Sequence, residues 1–370
     1  MKLYDYEYTF DFMKQKKAAI VTWYSSKNFG SQLQAYALYK TITNLGYDVY
    51  MVYFHRHPLL RKIYYYIINS LPLCISRILN RQVDTPKYLF VKKYLKEVFI
   101  NPTNSLTDFD AAICGSDQIW APNVFNPLYM LSFISDNTTK LSYAASIGLN
   151  KIPDNLKDDY LNLLSRLSNI SVREESGKKL LKECCGINAS VVLDPTLLLS
   201  ADEWKKIAKE VYVNSPYIFC YILNPSHNYK NKILDYQKRY GVKIIGLSEN
   251  QKDSEWMEVL DYKRIGPEEF LGLILNASAV FTDSYHCTIF SIQFNKPFIT
   301  FERFNNSDAL CQNSRIQQLD SYFNIENNIK NPNTSEQLNA AAINYLDFEN
   351  KRVKLKFNSI NYLKSSLSIC

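Results

Sequence analysis

Short hydrophobic runs alternate along this chain with longer stretches whose apolar positions recur at helical spacing, and the alternation repeats from residue 18 onward. Residues 18–24 read as a buried strand, 25–31 as a turn, and 32–45 as a helix with Leu38, Ile42 and Leu45 on one face and Gly46 as its stop. Residues 47–54 follow as a second strand. A β-α-β unit of this kind crosses over right-handed and turns its first loop toward the ligand crevice at the carboxyl edge of the sheet. The pattern then predicts a helix over 88–98 and strands at 110–114, 141–146 and 170–173. Helices over 154–168 and from Glu174 to near Gly186 are interleaved, and 191–196 closes a first domain near Pro195.

A second set repeats the alternation. Strands are predicted at 217–223, 242–247, 279–282 and 297–301, and helices over 228–240, from Pro267, and over 288–294. Proline at a first helical turn, followed by Glu268 and Glu269, suits the helix dipole. Residues 305–315 read as a polar loop and 336–366 as a helical tail that crosses back over the first domain. A chain of 370 residues supports two cores. The division is 1–195, 196–345, and a tail over 346–370.

Residues 58–82 break the pattern, with Leu, Ile and Tyr flanked by Arg61, Lys62, Arg77 and Arg81 and interrupted by Pro72. The run is shorter than the roughly 20 apolar residues a spanning helix needs. It fits a helix pair resting on an anionic membrane surface, and equally an insertion packed on protein.

Composition narrows the class. Apolar residues at 46% and charged ones at 21% describe a folded protein, and the net charge of +7 is spread without a nucleic-acid-binding stripe. The 28 Tyr and 20 Phe supply flat amphipathic surfaces of the kind that stack on sugars or fill cores. Residues 18–24 are too short for a signal peptide, so a cytosolic protein is expected. Eight cysteines without a CxxC pair fit buried thiols in a reducing compartment. His55 and His57 have no partner cluster, so no metal site is expected, and the first loop lacks both the dinucleotide and P-loop spacings.

Chemistry gathers where strands end. His286 stands at a strand-to-helix turn, where free N–H groups and the dipole favour an anion; a capping or packing histidine stays open as the alternative. Arg173 ends another strand and can fork onto a carboxylate or phosphate, or pair with Glu174 or Glu175. The small residues of Gly115-Ser-Asp-Gln-Ile-Trp120 let backbone approach a ligand and bring Asp117 and Gln118 to a strand end.

Six stretches, in order, resemble the polysaccharide pyruvyl transferase family: Asn28-Phe-Gly-Ser-Gln-Leu-Gln-Ala-Tyr-Ala-Leu, Cys114-Gly-Ser-Asp-Gln-Ile-Trp, Ser142-Tyr-Ala-Ala-Ser, Ser171-Val-Arg-Glu-Glu-Ser-Gly, Leu193-Asp-Pro-Thr, and Thr282-Asp-Ser-Tyr-His-Cys-Thr-Ile-Phe-Ser-Ile. The resemblance implies an α/β protein with two Rossmann-like domains in a glycosyltransferase-B-like arrangement around a cleft. It implies transfer of the pyruvyl group of phosphoenolpyruvate onto two hydroxyls of a surface-polysaccharide sugar, giving a cyclic ketal and phosphate. The donor is a substrate, and no cofactor is implied. Residues 58–82 suit a polyprenyl-diphosphate-linked acceptor at the inner face of the membrane.

By the same resemblance Arg173 and His286 hold the donor, His286 or Asp117 moves protons, and Asn28, Gly30, Gln32, Ser116 and Gln118 line the acceptor side. Many members carry arginine two residues before the histidine and glycine after it; here stand Ser284 and Cys287. Lys296, Arg303 and Arg315 are the candidates to replace that charge. Two other readings stay open: a nucleotide-sugar glycosyltransferase of the same shape, and a non-catalytic capsule-assembly protein whose site has decayed.

Overall fold

A computed structural model describes residues 15–24, 28–54, 85–100, 108–224, 229–248, 251–304, 308, 311–334 and 336–369. Residues 58–82, expected to touch membrane or protein, lie outside them. Among the described residues no helix is long and apolar enough to cross a membrane.

The first domain runs β1 (Lys17–Val21), α1 (Phe29–Asn44), β2 (Asp48–Tyr53), α2 (Pro86–Tyr94), β3 (Glu97–Phe99), β4 (Ala111–Cys114), β5 (Thr139–Ser142), α3 (Lys157–Leu164), β6 (Ser171–Val172), α4 (Glu175–Cys185) and β7 (Ser190–Val191). Its sheet has the order β3-β2-β1-β4-β5, all parallel. The β6-β7 pair continues beside β5 through the bridges Leu141–Asn169 and Ala145–Val172.

The second domain runs α5 (Ala201–Lys205), β8 (Tyr217–Tyr221), α6 (Tyr229–Tyr240), β9 (Lys243–Gly246), β10 (Glu258–Val259), α7 (Pro267–Asn276), β11 (Ala279–Thr282), α8 (Tyr285–Gln293), β12 (Phe298–Phe301), α9 (Ser314–Phe323) and β13 (Ile329–Lys330), and ends in α10 (Tyr345–Ser366). Its parallel sheet has the order β10-β9-β8-β11-β12-β13. Each sheet therefore grows outward in both directions from one switch point, between β1 and β4 in the first and between β8 and β11 in the second. Crevices at the carboxyl ends of those strands are where such sheets bind ligands. The two Rossmann-like domains stand in a glycosyltransferase-B-like arrangement. The central strands are continuous apolar runs, as in Ala18–Ile20 and Tyr217–Tyr221, because helices cover both faces of a parallel sheet.

α1 is the wedge between the domains. Its first two turns are buried all round, so its sequence shows a weaker apolar stripe than a surface helix would. Phe29 stacks on Phe270 with ring centroids 4.8 Å apart and reaches Tyr262 at 5.1 Å, while Trp204 meets Phe290 edge-on at 5.0 Å. One hydrophobic cluster thus runs through both domains, and truncating Phe29 to alanine should cost about 3–5 kcal/mol. α10 ties back to the first domain: Tyr362 Oη donates to the Ser142 carbonyl at 2.9 Å, and the Leu193 amide donates to Ser359 Oγ at 3.0 Å.

Several boundaries differ from the hydrophobic pattern. α1 starts at Phe29 rather than near residue 32, because the Asn28 side chain accepts from the Gly30 amide at 2.9 Å and caps it. The expected helix over 88–98 ends at Tyr94, and Glu97–Phe99 forms the edge strand β3. The tail helix begins at Tyr345, not 336, because Ala341 pairs instead with Phe298 of β12.

Candidate active site

Arg173 follows directly on β6, and His286 lies in the first turn of α8 after β11 ends at Thr282. Asp194 joins them. Its segment runs from β7 toward the second domain and turns at Pro195, where Asp194 Oδ1 accepts from the Thr196 amide at 2.9 Å and the Thr196 hydroxyl at 2.6 Å. The other oxygen, Oδ2, accepts from Arg173 Nη1 at 2.8 Å and lies 3.5 Å from His286 Nε2. One buried carboxylate is therefore shared by a cation of the first domain and a titratable ring of the second.

The cluster is dry. Arg173 is 2% exposed and His286 5%. Among the described residues, the Nε and Nη2 atoms of Arg173 and Nε2 of His286 are buried without a hydrogen-bond partner. Such groups are rare in folded proteins and point to a missing partner. Glu174 supplies a second carboxylate: Oε1 accepts from Ser146 Oγ at 2.6 Å and the Gly148 amide at 3.1 Å, leaving Oε2 3.6 Å from Arg173 Nε. The Tyr285 ring lies 4.5 Å from the Arg173 guanidinium carbon and 5.8 Å from that of Arg315.

Charge and burial act on each other here. Burial opposes ionisation of Asp194, but His286, Arg173 and Thr196 outweigh it and hold the carboxyl well below the usual range. Burial also opposes the Arg173 charge, and the neighbouring carboxylates Asp194, Glu174 and Asp117 favour it. Tyr285 is buried beside Asp194, which pushes its phenol well above the ordinary tyrosine value, so it stays a neutral donor. Arg315 is pushed down to about 9 by burial and by the like charges of Arg173 and Arg303.

The structure brings most of the expected residues together. Gly30 packs on the His286 imidazole from across the cleft. Its neighbour Ser31 donates to Asp117 Oδ2 at 2.5 Å, and Asp117, in a left-handed conformation with φ of 74°, accepts from the Gln118 amide at Oδ1 at 2.9 Å. Gln118 Nε2 donates to Gln312 Oε1 at 2.9 Å, and Gln312 Oε1 also accepts from Arg315 Nη2 at 2.9 Å. A second bridge spans the cleft where the Glu175 amide, at the N-terminus of α4, donates to Gln318 Oε1 at 2.9 Å. Arg303 Nη2 donates to the Asp283 carbonyl at 2.7 Å, and Ser284 is the buried N-cap of α8 with no capping bond from its side chain.

Four of the expected residues are placed or bonded away from this cluster. Lys296 lies just before β12, at the amino edge of the sheet, a full helix length of about 13 Å from the first turn of α8. It cannot join the cluster. Ser116 is fully buried and spent inside the first domain: its amide donates to Gln34 Oε1, its hydroxyl to the Ala144 carbonyl, and its carbonyl accepts from Thr22 Oγ1. Asn28 caps α1, and Gln32 Nε2 donates to the Lys87 carbonyl at 3.0 Å, so both shape the loop. Glu174 faces Arg173 as the ion-pair reading had it, while Asp194, Tyr285 and Gln312 carry roles the residue pattern did not assign. The Asp-Pro-Thr turn was the available signal, since a capping aspartate after a strand faces the crevice edge.

A family model described as polysaccharide pyruvyl transferase matches residues 28–305. No curated protein matches the chain in sequence. Among solved structures, the chain is similar to the N-terminal domain of trehalose-6-phosphate phosphatase from Candida albicans, with 10% identity, 96% of this chain and 97% of that one covered, and a TM-score of 0.50. It is also similar to UDP-GlcNAc 2-epimerase from Methanocaldococcus jannaschii, with 14% identity, coverage of 92% and 99%, and a TM-score of 0.48.

Proposed function

The chain belongs to the polysaccharide pyruvyl transferase family, and from that premise we propose that it moves the pyruvyl group of phosphoenolpyruvate onto two hydroxyls of a surface-polysaccharide sugar. The observation that carries the reading is the buried Arg173–Asp194–His286 cluster, where among the described residues the Arg173 Nε and Nη2 atoms form no hydrogen bond, although Glu174 Oε2 lies 3.6 Å from Nε. A guanidinium edge of that kind meets a planar carboxylate in two parallel bonds, and a histidine in a helix's first turn suits a phosphate. Phosphoenolpyruvate carries both groups. A polyprenyl-diphosphate-linked acceptor fits the same reading through residues 58–82.

The reaction balances without a cofactor. One sugar hydroxyl adds to C2 of the donor and loses its proton, while the methylene carbon gains one, giving a phosphorylated hemiketal. Phosphate then leaves with its bonding electron pair, and the second hydroxyl adds to C2, releases its proton and closes the ring. Asp117, whose Oδ2 accepts from Ser31, takes the hydroxyl proton, and His286 meets the phosphate or delivers the proton. Asp194, 3.5 Å from Nε2, keeps the imidazole oriented.

The test is the thermal midpoint with phosphoenolpyruvate and, separately, with nucleotide sugars. A rise with phosphoenolpyruvate that disappears in Arg173→Ala and His286→Ala supports the proposal. A rise with a nucleotide sugar alone overturns it and leaves a glycosyltransferase.

A further inference from the structure

Two buried guanidiniums lie against one ring. Arg173 and Arg315 both approach Tyr285, at 4.5 and 5.8 Å, and the charge of Arg173 acts on that of Arg315. Their surroundings differ. Arg173 has Asp194 on Nη1 at 2.8 Å and Glu174 at 3.6 Å from Nε, so its charge is balanced by two buried carboxylates. Arg315, 8% exposed, donates only to Gln312, from Nη2 to Oε1 at 2.9 Å and from Nε to the carbonyl at 3.4 Å. Among the described residues it forms no ion pair.

Resting on the donor reading above, we infer that the two arginines divide the donor, Arg173 taking its carboxylate and Arg315 its phosphate. A guanidinium already balanced by acids, with a fork edge open, suits a planar anion of single charge. A buried guanidinium whose partner is a neutral amide is under-compensated until an anion joins it, and the more highly charged group relieves it most. Burial and the like charges of Arg173 and Arg303 push the Arg315 pKa down by more than Glu174 and Asp117 raise it, which has the same sign. Arg303, held at Asp283, adds positive field on that side. Gln312 is a replaceable partner, since a phosphate oxygen is the stronger acceptor for a charged donor.

The experiment measures how inorganic phosphate and pyruvate each compete with phosphoenolpyruvate for the full-length chain, in wild type, Arg315→Gln and Arg173→Gln. Arg315→Gln should weaken phosphate by about tenfold or more and leave pyruvate within about twofold, and Arg173→Gln should do the reverse. Arg315→Lys, which keeps the charge, should retain part of the phosphate binding and guards against misfolding as the cause. Equal losses for both probes, a pyruvate loss confined to Arg315→Gln, or failure of both probes to compete overturns the division while the donor reading stands. Absence of phosphoenolpyruvate binding to wild type removes both.

Discussion

Gly30 lies so close to His286 that a Cβ at position 30 would come 2.2 Å from Nδ1 and 2.5 Å from Cγ of the ring. The overlap falls on the ring and its base, not on a flexible end, so Gly30→Ala must push α1 or the imidazole aside. A displacement of that size at a reacting centre costs about a hundredfold. Gly30→Ala should lower kcat/KM by about that factor while circular dichroism shows the fold retained. Wild-type turnover in that variant would separate this contact from the working site.

Asp194 pairs with Arg173 and faces His286, and removing it leaves the buried Arg173 with Glu174 alone. Asp194→Ala should destabilise the protein by about 3–5 kcal/mol, read from urea unfolding. The folded state holds the Asp194 carboxyl below its ordinary value, so the unfolded chain takes up this proton first as pH falls. Its stabilisation is complete above the ordinary carboxylate pKa of about 4 and shrinks as pH drops below it. The stability gap between wild type and Asp194→Asn should therefore be flat from about pH 7 to about pH 5 and narrow below about pH 4.

Lys296 stands at the wrong edge of its sheet for a donor contact. Lys296→Ala should leave the KM for phosphoenolpyruvate within about twofold of wild type, whereas Arg173→Ala should abolish saturation. A tenfold rise for Lys296→Ala would contradict its placement before β12.

Cys287 follows the histidine but faces the core. It is fully buried, and burial pushes its thiol far above the ordinary value, so it supplies no nucleophile. Cys287→Ala should cost about 1 kcal/mol of stability from the small void and keep kcat within about threefold. Mass spectrometry after thiol alkylation of the native protein should label Cys184 and Cys185, which are partly exposed, well before Cys114, Cys220 or Cys287.

The fold was legible because parallel strands buried on both faces write themselves as apolar runs, as at residues 18–21 and 279–282. Arg173 and His286 were legible for a related reason: a strand end is a fixed place in such a sheet. What the sequence hid were relationships across long separations. Nothing local to Leu193-Asp-Pro-Thr says that its carboxylate reaches a ring 92 positions away, and Gln312 sits in a stretch that reads only as polar. Lys296 misled because charge was counted and direction was not: a residue one helix beyond the histidine is carried to the opposite edge. Short elements such as β10 and β13 escaped too, since two residues carry no periodicity.

Two glutamine bridges, Gln118 to Gln312 and the Glu175 amide to Gln318, close the cleft with neutral bonds. Each contributes only about 1 kcal/mol net, so the cleft can part and re-form within a catalytic cycle. Once phosphate departs, the proposed reaction holds an electron-poor carbon that any stray water would quench to pyruvate. The bridges therefore bear on yield as much as on speed. Loosening them, as in Gln312→Ala, should show up as pyruvate and phosphate released without ketal, a leak visible even where total donor consumption is unchanged.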